Sequence, residues 1–274
     1  MQRLIRIGDK SFEISSDDLY LSQMPPVFEP AMVSLFRALI TPGMTVLDVG
    51  ANIGMTALLF SQLAREVYAF EPAPSTYALL QTNLAAARLT NVETFNLGLG
   101  ETAQNLTLTF ATQNRSGGFV SGHIKPEAGY TTENIVIGTL DGLYGAGGPV
   151  QNLRKPDFIK LDVEGFEPHV IRGGRRVLAR HKPVVVLELN HFCLNVLQRI
   201  TVPDFFDLLR SVFPVLFAIG ADNRSIGNLH DPDTAYNVMH AHVTQFHYPN
   251  IVAGFDPAIV DKLAILSRDA LAAR

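Results

Sequence analysis

Two clusters of side chains stand out because their types and spacing suit chemistry. The first is Asp48-Val49-Gly50-Ala51-Asn52-Ile53-Gly54. Glycine at 50 and 54 lets a backbone turn sharply and approach a ligand where a side chain would obstruct it. The dinucleotide fingerprint G-x-G-x-x-G is not met, because Asn52 and Met55 stand in the places of its second and third glycines. Glu71 follows about 20 residues after the turn, the offset at which an acidic residue accepts hydrogen bonds from ribose hydroxyls. Turn and acid together describe a nucleoside site with no pyrophosphate requirement.

The second cluster is Lys160-Leu161-Asp162-Val163-Glu164-Gly165-Phe166-Glu167. Asp162 and Glu164 lie two apart at a strand end, so strand geometry points both to one side until Gly165 bends the chain. Like charges at that separation raise one another's proton affinity, which suits one of them to accept a proton near neutral pH. Glu188 sits inside the apolar run Val184 to Leu189 and is followed by Asn190 and His191. A carboxylate in such a run is either paired or functional, because unpaired burial is costly.

The elements that must position these groups alternate. Pro30 to Ile40 has helical apolar spacing and ends at Thr41-Pro42-Gly43. Thr45 to Val49 is a strand, Met55 to Leu63 a helix, Val67 to Phe70 a strand and Ser75 to about Arg88 a helix with Ser75 as cap, and Val92 to Leu97 is a third strand. This is the pattern of a doubly wound parallel sheet, with the glycine turn at the carboxyl end of its first strand, where open α/β sheets bind ligands. Glu101 to Gly148 differs: Leu106 to Phe110 and Ile135 to Leu140 are expected strands, and Gly117-Gly118 and Gly145 to Gly148 expected loops, of a β insertion. Phe158 to Val163 and Val184 to Leu189 are the fourth and fifth core strands, flanking a helix from Pro168 to about Ala179. Asp204 to Val212 is an expected helix, and Val215 to Ile219 and His240 to Phe246 are expected closing strands. The expectation is one domain over 1–274: N-terminal strands and a helix over 1–44, a cofactor-binding core over 45–190 and closing elements over 191–274.

Composition bounds the function. The 274 residues are 47% hydrophobic, enough for a full core, and the net charge of −4 calls for neither nucleic acid nor an anionic membrane. Met1 to Ile14 alternates apolar and charged residues without a signal-peptide core, and no apolar run reaches the ~18 residues of a membrane span, so the expectation is a cytoplasmic protein. The single cysteine, Cys193, excludes an internal disulfide and is read as a packed thiol. His240 and His242 would share a strand face near His247 and His230, but a strand edge or substrate cleft explains them, and no metal site is assigned. Arg172, Arg176 and Arg180 fall on one helix face and are read as solvated.

The motifs Val46-Leu47-Asp48-Val49-Gly50-Ala51-Asn52-Ile53-Gly54, Phe70-Glu71-Pro72 and Ile159-Lys160-Leu161-Asp162-Val163-Glu164-Gly165, with Gly173 and Glu188, resemble the FkbM family of methyltransferases over roughly residues 28 to 190. The resemblance implies a Rossmann-like seven-stranded sheet with helices on both faces, and S-adenosylmethionine as methyl donor. It also implies methylation of a hydroxyl on a sugar, polyketide or other natural product. By this resemblance Gly50, Asn52 and Gly54 line the methionine part, Glu71 holds the ribose and Asn96, Leu97 and Gly98 edge the adenine. Asp48 and Asp162 complete the cofactor-binding set. Leu97-Gly98-Leu99-Gly100 departs from the family's small residue, glycine and aspartate at that place. Asp162 or His191 is the expected general base, with Glu164 and Glu188 orienting or pairing. The partner is a small-molecule or saccharide acceptor. The competing readings are a nucleotide-dependent oxidoreductase and a non-catalytic nucleoside-binding module. The acceptor itself and the oligomeric state have no signature in the sequence.

Overall fold

The computed structural model describes residues 1–124, 128–145, 150 and 153–272. A hairpin of β1 (Gln2–Ile7) and β2 (Lys10–Ser15) is followed by α1 (Tyr20–Gln23) and α2 (Pro30–Leu39). The core then alternates: β3 (Thr45–Val49), α3 (Met55–Leu63), β4 (Glu66–Phe70), α4 (Pro74–Ala87) and β5 (Val92–Phe95). The insertion holds β6 (Gly98–Leu99), β7 (Gln104–Ala111), β8 (Asn114–Phe119), β9 (Tyr130–Gly138) and the short α5 (Leu140–Leu143). The second half of the core is β10 (Phe158–Leu161), α6 (Glu167–Arg172), α7 (Arg175–His181) and β11 (Val184–Glu188), and a π-helical turn, Cys193–Leu197, follows it. Then come α8 (Val202–Arg210), β12 (Val215–Ile219), β13 (Ile226–Asn228), α9 (Pro232–Gln245), β14 (Asn250–Gly254) and α10 (Ala258–Ala272).

Eight strands form the main sheet in the order β13-β12-β14-β11-β10-β3-β4-β5. The run from β5 to β11 is parallel, and β14 lies antiparallel between β11 and β12. Six of the seven expected strands are in place, and β14 takes the position of the seventh. The eighth, β13, is an edge addition paired with β12. All five residues of β3 and all four of β10 are buried, the signature of parallel strands covered on both faces. Phe36 of α2, Phe60 of α3 and Phe158 of β10 meet edge to face at centroid distances of 4.8 to 6.1 Å, fixing two helices to one sheet face. The second sheet, in the order β6-β9-β7-β8, lies over the open carboxyl ends of the core strands and packs Ile137 of β9 against Gly98 and Gly100.

Several sequence expectations change. His240 to Phe246 is not a strand: it is the end of α9, which Asp231 caps by accepting from the Thr234 amide at 3.0 Å. The closing strand is β14, fully buried and unassigned from sequence. Gly117 and Gly118 lie within β8 rather than in a loop. Leu140 starts α5 under the cap of Thr139. The helix expected from Pro168 splits at Gly173-Gly174, because a side chain at 173 would lie 2.0 Å from the Gly100 carbonyl oxygen. Ser75 is inside α4, whose first turn is instead capped by Glu133 of β9 accepting from the Ser75 amide and hydroxyl. Beyond Gly145, the expected glycine loop falls outside the described residues. No helix among the described residues is long and apolar enough to cross a membrane.

Candidate active site

The register of β3 on β10 sets Asp48 beside Lys160. Both are buried, and Lys160 Nζ donates to the Gly50 carbonyl at 2.8 Å while lying 3.4 Å from Asp48 Oδ1 and 3.3 Å from Asp162 Oδ2. Thr56 of α3 donates to the other Asp48 oxygen at 2.7 Å. Burial opposes the lysine's charge, but the two carboxylates outweigh it and hold its pKa above the ordinary lysine range. Lys160 is therefore a permanent cation tying the glycine turn to Asp162. It is a lysine in an otherwise apolar strand, and that anomaly was the legible signal.

Gly50 has φ +80°, and a Cβ there would lie 1.9 Å from the Asp162 carbonyl oxygen. Gly54 has φ +100° and would meet Leu80 of α4 at 2.8 Å. Both glycines thus admit neighbouring parts of the chain. Asn52, with φ +49°, donates its amide to Glu71 Oε2 at 3.0 Å, and Ala73 donates to Glu71 Oε1 at 3.0 Å. Burial pushes the Glu71 carboxyl up to about 7 despite these two bonds. The amides of Gly50 and Ala51 are taken by the Phe70 carbonyl and that of Gly54 by Ala51. Four of the turn's amides are committed inside the chain, unlike an anion cradle, whose free N–H groups point at the ligand.

The carboxyl ends of β3, β4, β10 and β11 open into a cavity of about 310 Å³. Gly50, Asn52 and Glu71 line one side, Leu97, Gly98, Leu99 and Phe166 form an apolar slot, and Asp162, Glu164 and Glu188 line the far side. The second sheet contributes Leu108, Ile135 and Ile137, and the N-terminal segment Tyr20 and Met24. Glu164, in left-handed backbone at φ +53°, accepts from the Cys193 thiol at 3.3 Å; burial and then Asp162 raise its carboxyl to about 7. Cys193 is thus a hydrogen-bond donor to the site as well as a packed thiol. Glu167, buried behind them, accepts from the Val163 amide at 2.9 Å and is raised by burial to about 8. Glu188 Oε2 is buried with no hydrogen-bond partner among the described residues, and burial followed by Asp162, Glu164 and Glu167 holds a proton on this carboxyl well above the usual range.

Four expected site residues stand elsewhere. Asp48 is sealed behind the turn on Thr56 and Lys160. Gly54 packs under α4. Asn96 is exposed and donates to the carbonyls of Glu71 and Pro72, both at 2.9 Å, a staple that holds the acid's backbone. The His191 ring packs on His242 and Phe246 at 5.0 and 4.8 Å, away from this cavity. His242 is buried in α9 and pushed down to about 4 by burial and His191. No group of histidine, cysteine and acidic residues suited to a metal ion occurs among the described residues.

A family model described as "Methyltransferase FkbM domain" matches residues 48–212, and the chain belongs to that methyltransferase family. "Methyltransferase 1" of Beauveria bassiana is 29% identical over 143 residues, covering 47% of this chain and 57% of that protein. "Hexuronic acid methyltransferase AglP" of Haloferax volcanii is 31% identical over 139 residues, covering 51% of this chain and 53% of that one. The match thus spans little more than half the length of these curated relatives. A solved structure, methyltransferase FkbM from Methylobacillus flagellatus KT, superposes with a TM-score of 0.45 at 18% identity, over 78% of this chain and 44% of that one.

Proposed function

We propose that this chain transfers a methyl group from S-adenosylmethionine to a hydroxyl of a saccharide or other natural product. The observation that carries the reading is one cavity lined on one side by the glycine turn and Glu71 and on the other by Asp162, Glu164 and Glu188. The residues fit the donor. Each Glu71 oxygen, already fixed by one amide, keeps a lone pair for a ribose hydroxyl, and the slot of Leu97, Gly98, Leu99 and Phe166 suits a flat base. The surrounding carboxyl groups suit a cationic sulfonium.

S-adenosylmethionine, when bound, supplies a methyl carbon that forms a bond to the acceptor oxygen as its bond to sulfur breaks, the electron pair staying on sulfur. The chain's share is alignment, exclusion of water and removal of the hydroxyl proton. Glu188 is assigned as the proton acceptor: it lines the cavity, its Oε2 is without a hydrogen-bond partner among the described residues, and its proton affinity is elevated. Asp162, braced by Lys160, positions the acceptor, and Glu164 is held by Cys193 to complete the wall.

An oxidoreductase reading needs a pyrophosphate site, and the committed amides of the turn do not offer one. Titration calorimetry with S-adenosylmethionine, its demethylated product and NAD tests the proposal. Binding of both methionine compounds and not of NAD is expected. NAD binding without either of them overturns the reading.

A further inference from the structure

A second cavity, of about 350 Å³, opens at the carboxyl ends of β10 and β11 and the beginning of β14, with the start of α2 as its roof. It shares three lining residues with the first cavity: Glu29, Asp162 and Glu188. A third space of about 80 Å³ touches both, and Glu29 and Asp162 line it as well. The two large cavities therefore meet at a partition of carboxylates, and only the first carries the glycine turn and Glu71. Methyl transfer needs the donor and the acceptor oxygen to meet, with a proton acceptor within hydrogen-bond reach of that oxygen, and the shared carboxyl groups stand where two adjoining ligands would meet. Glu188 lines both cavities, and its Oε2 is buried without a hydrogen-bond partner among the described residues, so this carboxyl on the common wall keeps unused accepting capacity.

Resting on the methyl-transfer reading, we infer that the second cavity holds the acceptor and that this acceptor is a hydroxyl-bearing ring with no carboxylate of its own. The walls define the class. Met32, Phe36 and Pro249 offer an apolar surface for a ring face, while Asn223 and Asn250 offer amides for hydroxyls. Lys160 is the one cation on the described lining, and it is already held by Asp48, Asp162 and the Gly50 carbonyl. An acceptor carboxylate would have to stay ionised beside Glu29, Asp162 and Glu188 with no free cation to meet it, in surroundings whose burial, followed by Asp162, already favours the uncharged form of the Glu29 and Glu188 carboxyls. A neutral or amine-bearing sugar avoids that penalty. The expected acceptor therefore differs in charge from the hexuronic acid in the name of the Haloferax relative.

The test offers the full chain, with saturating S-adenosylmethionine, matched glycosides of a neutral hexose, an amino sugar and a uronic acid. Release of the demethylated product and saturation-transfer NMR binding are both read. The neutral or amine-bearing glycoside should be methylated with kcat/KM at least about tenfold above the uronic acid. Ala31→Leu, which narrows only the second cavity, should raise the acceptor KM by about tenfold or more while affinity for the demethylated product stays within about twofold. An equal or greater preference for the uronic acid overturns the inference. So does an unchanged KM in a folded Ala31→Leu protein, or failure of all three glycosides to bind or react while the methionine cofactor binds. Failure of that cofactor to bind strikes the methyl-transfer reading instead.

Discussion

Glu188 concentrates the chemistry at the scale of single residues. It must be ionised to take a proton, and its burial, followed by Asp162, Glu164 and Glu167, favours the protonated form. Turnover of the bound complex should therefore rise with pH above the range in which an ordinary carboxyl ionises, in the sense of a base that works only once deprotonated. Glu188→Gln should lower kcat at least about a hundredfold and abolish that rise, whereas His191→Ala should stay within about threefold of normal. Asp162→Asn removes the neighbouring acid that raises Glu188 most, so the rise should move to lower pH. A pH profile of single-turnover rates reads all three, and an unshifted profile in Asp162→Asn would remove the electrostatic link between the two acids. The acids themselves were legible because Glu188 interrupts an apolar strand and Asp162 and Glu164 share a strand end. Their division of labour was not. That depends on which oxygen is left unpartnered and on Lys160, whose partners are set by strand register rather than by neighbours in sequence. Histidine's intrinsic pKa suits a base, yet burial lowers that of His191, and the segment between β11 and the π-helical turn sets its ring against His242 of α9, an orientation no local pattern shows.

Among the elements, the junction of β3 with β10 decides the site's shape. Gly50 at φ +80° leaves no room for a Cβ, which would overlap the Asp162 carbonyl oxygen at 1.9 Å. Gly50→Ala should therefore cost at least about 2 kcal/mol in chemical denaturation and weaken binding of the demethylated cofactor. Gly43→Ala is the control: nothing lies within 4 Å of its added carbon and its backbone is not left-handed, so it should be neutral or stabilising by up to about 1 kcal/mol. Equal effects of the two substitutions would mean that close approach of the two strand ends is not what requires the glycine. The parallel strands were legible because burial on both faces forces apolar, β-branched runs. The helix α9 was not, because His240, His242 and Thr244 alternate with apolar neighbours as a strand would. The informative signal lay upstream in Asp231-Pro232-Asp233, an acidic cap followed by proline at the first turn. β14 escaped notice because Asn250 and Pro249 gave its start the look of a loop.

The molecule as a whole closes its cavities by bridging distant parts of the chain. The Leu19 amide donates to the Gln113 carbonyl at 2.9 Å, the Arg115 amide donates to Asp18 at 2.9 Å, and the Arg115 guanidinium pairs with Asp17 at 2.8 Å. Arg115 also stands 5.6 Å from the Phe110 ring centre. At the other end of the second sheet, Gln198 donates to the Val120 carbonyl at 2.6 Å and Ser121 to the Leu197 carbonyl at 2.9 Å. The sheet that roofs the donor cavity is thus tied on one side to the N-terminal segment and on the other to the turn after β11. Opening of one of these ties would widen the way in for a nucleoside-sized ligand, and the partly exposed Asp17–Arg115 side is the weaker, since such ion pairs contribute about 1 kcal/mol or less. Binding of the demethylated cofactor should slow hydrogen exchange in Tyr20–Gln23 and β8 by about fivefold or more while leaving β12 and β14, remote from this tie, unchanged. Arg115→Ala should undo that protection and speed ligand dissociation by about three- to tenfold with little change in melting temperature. Protection spread evenly over both sheets would instead describe global stabilisation by mass action, and would place the opening at neither tie.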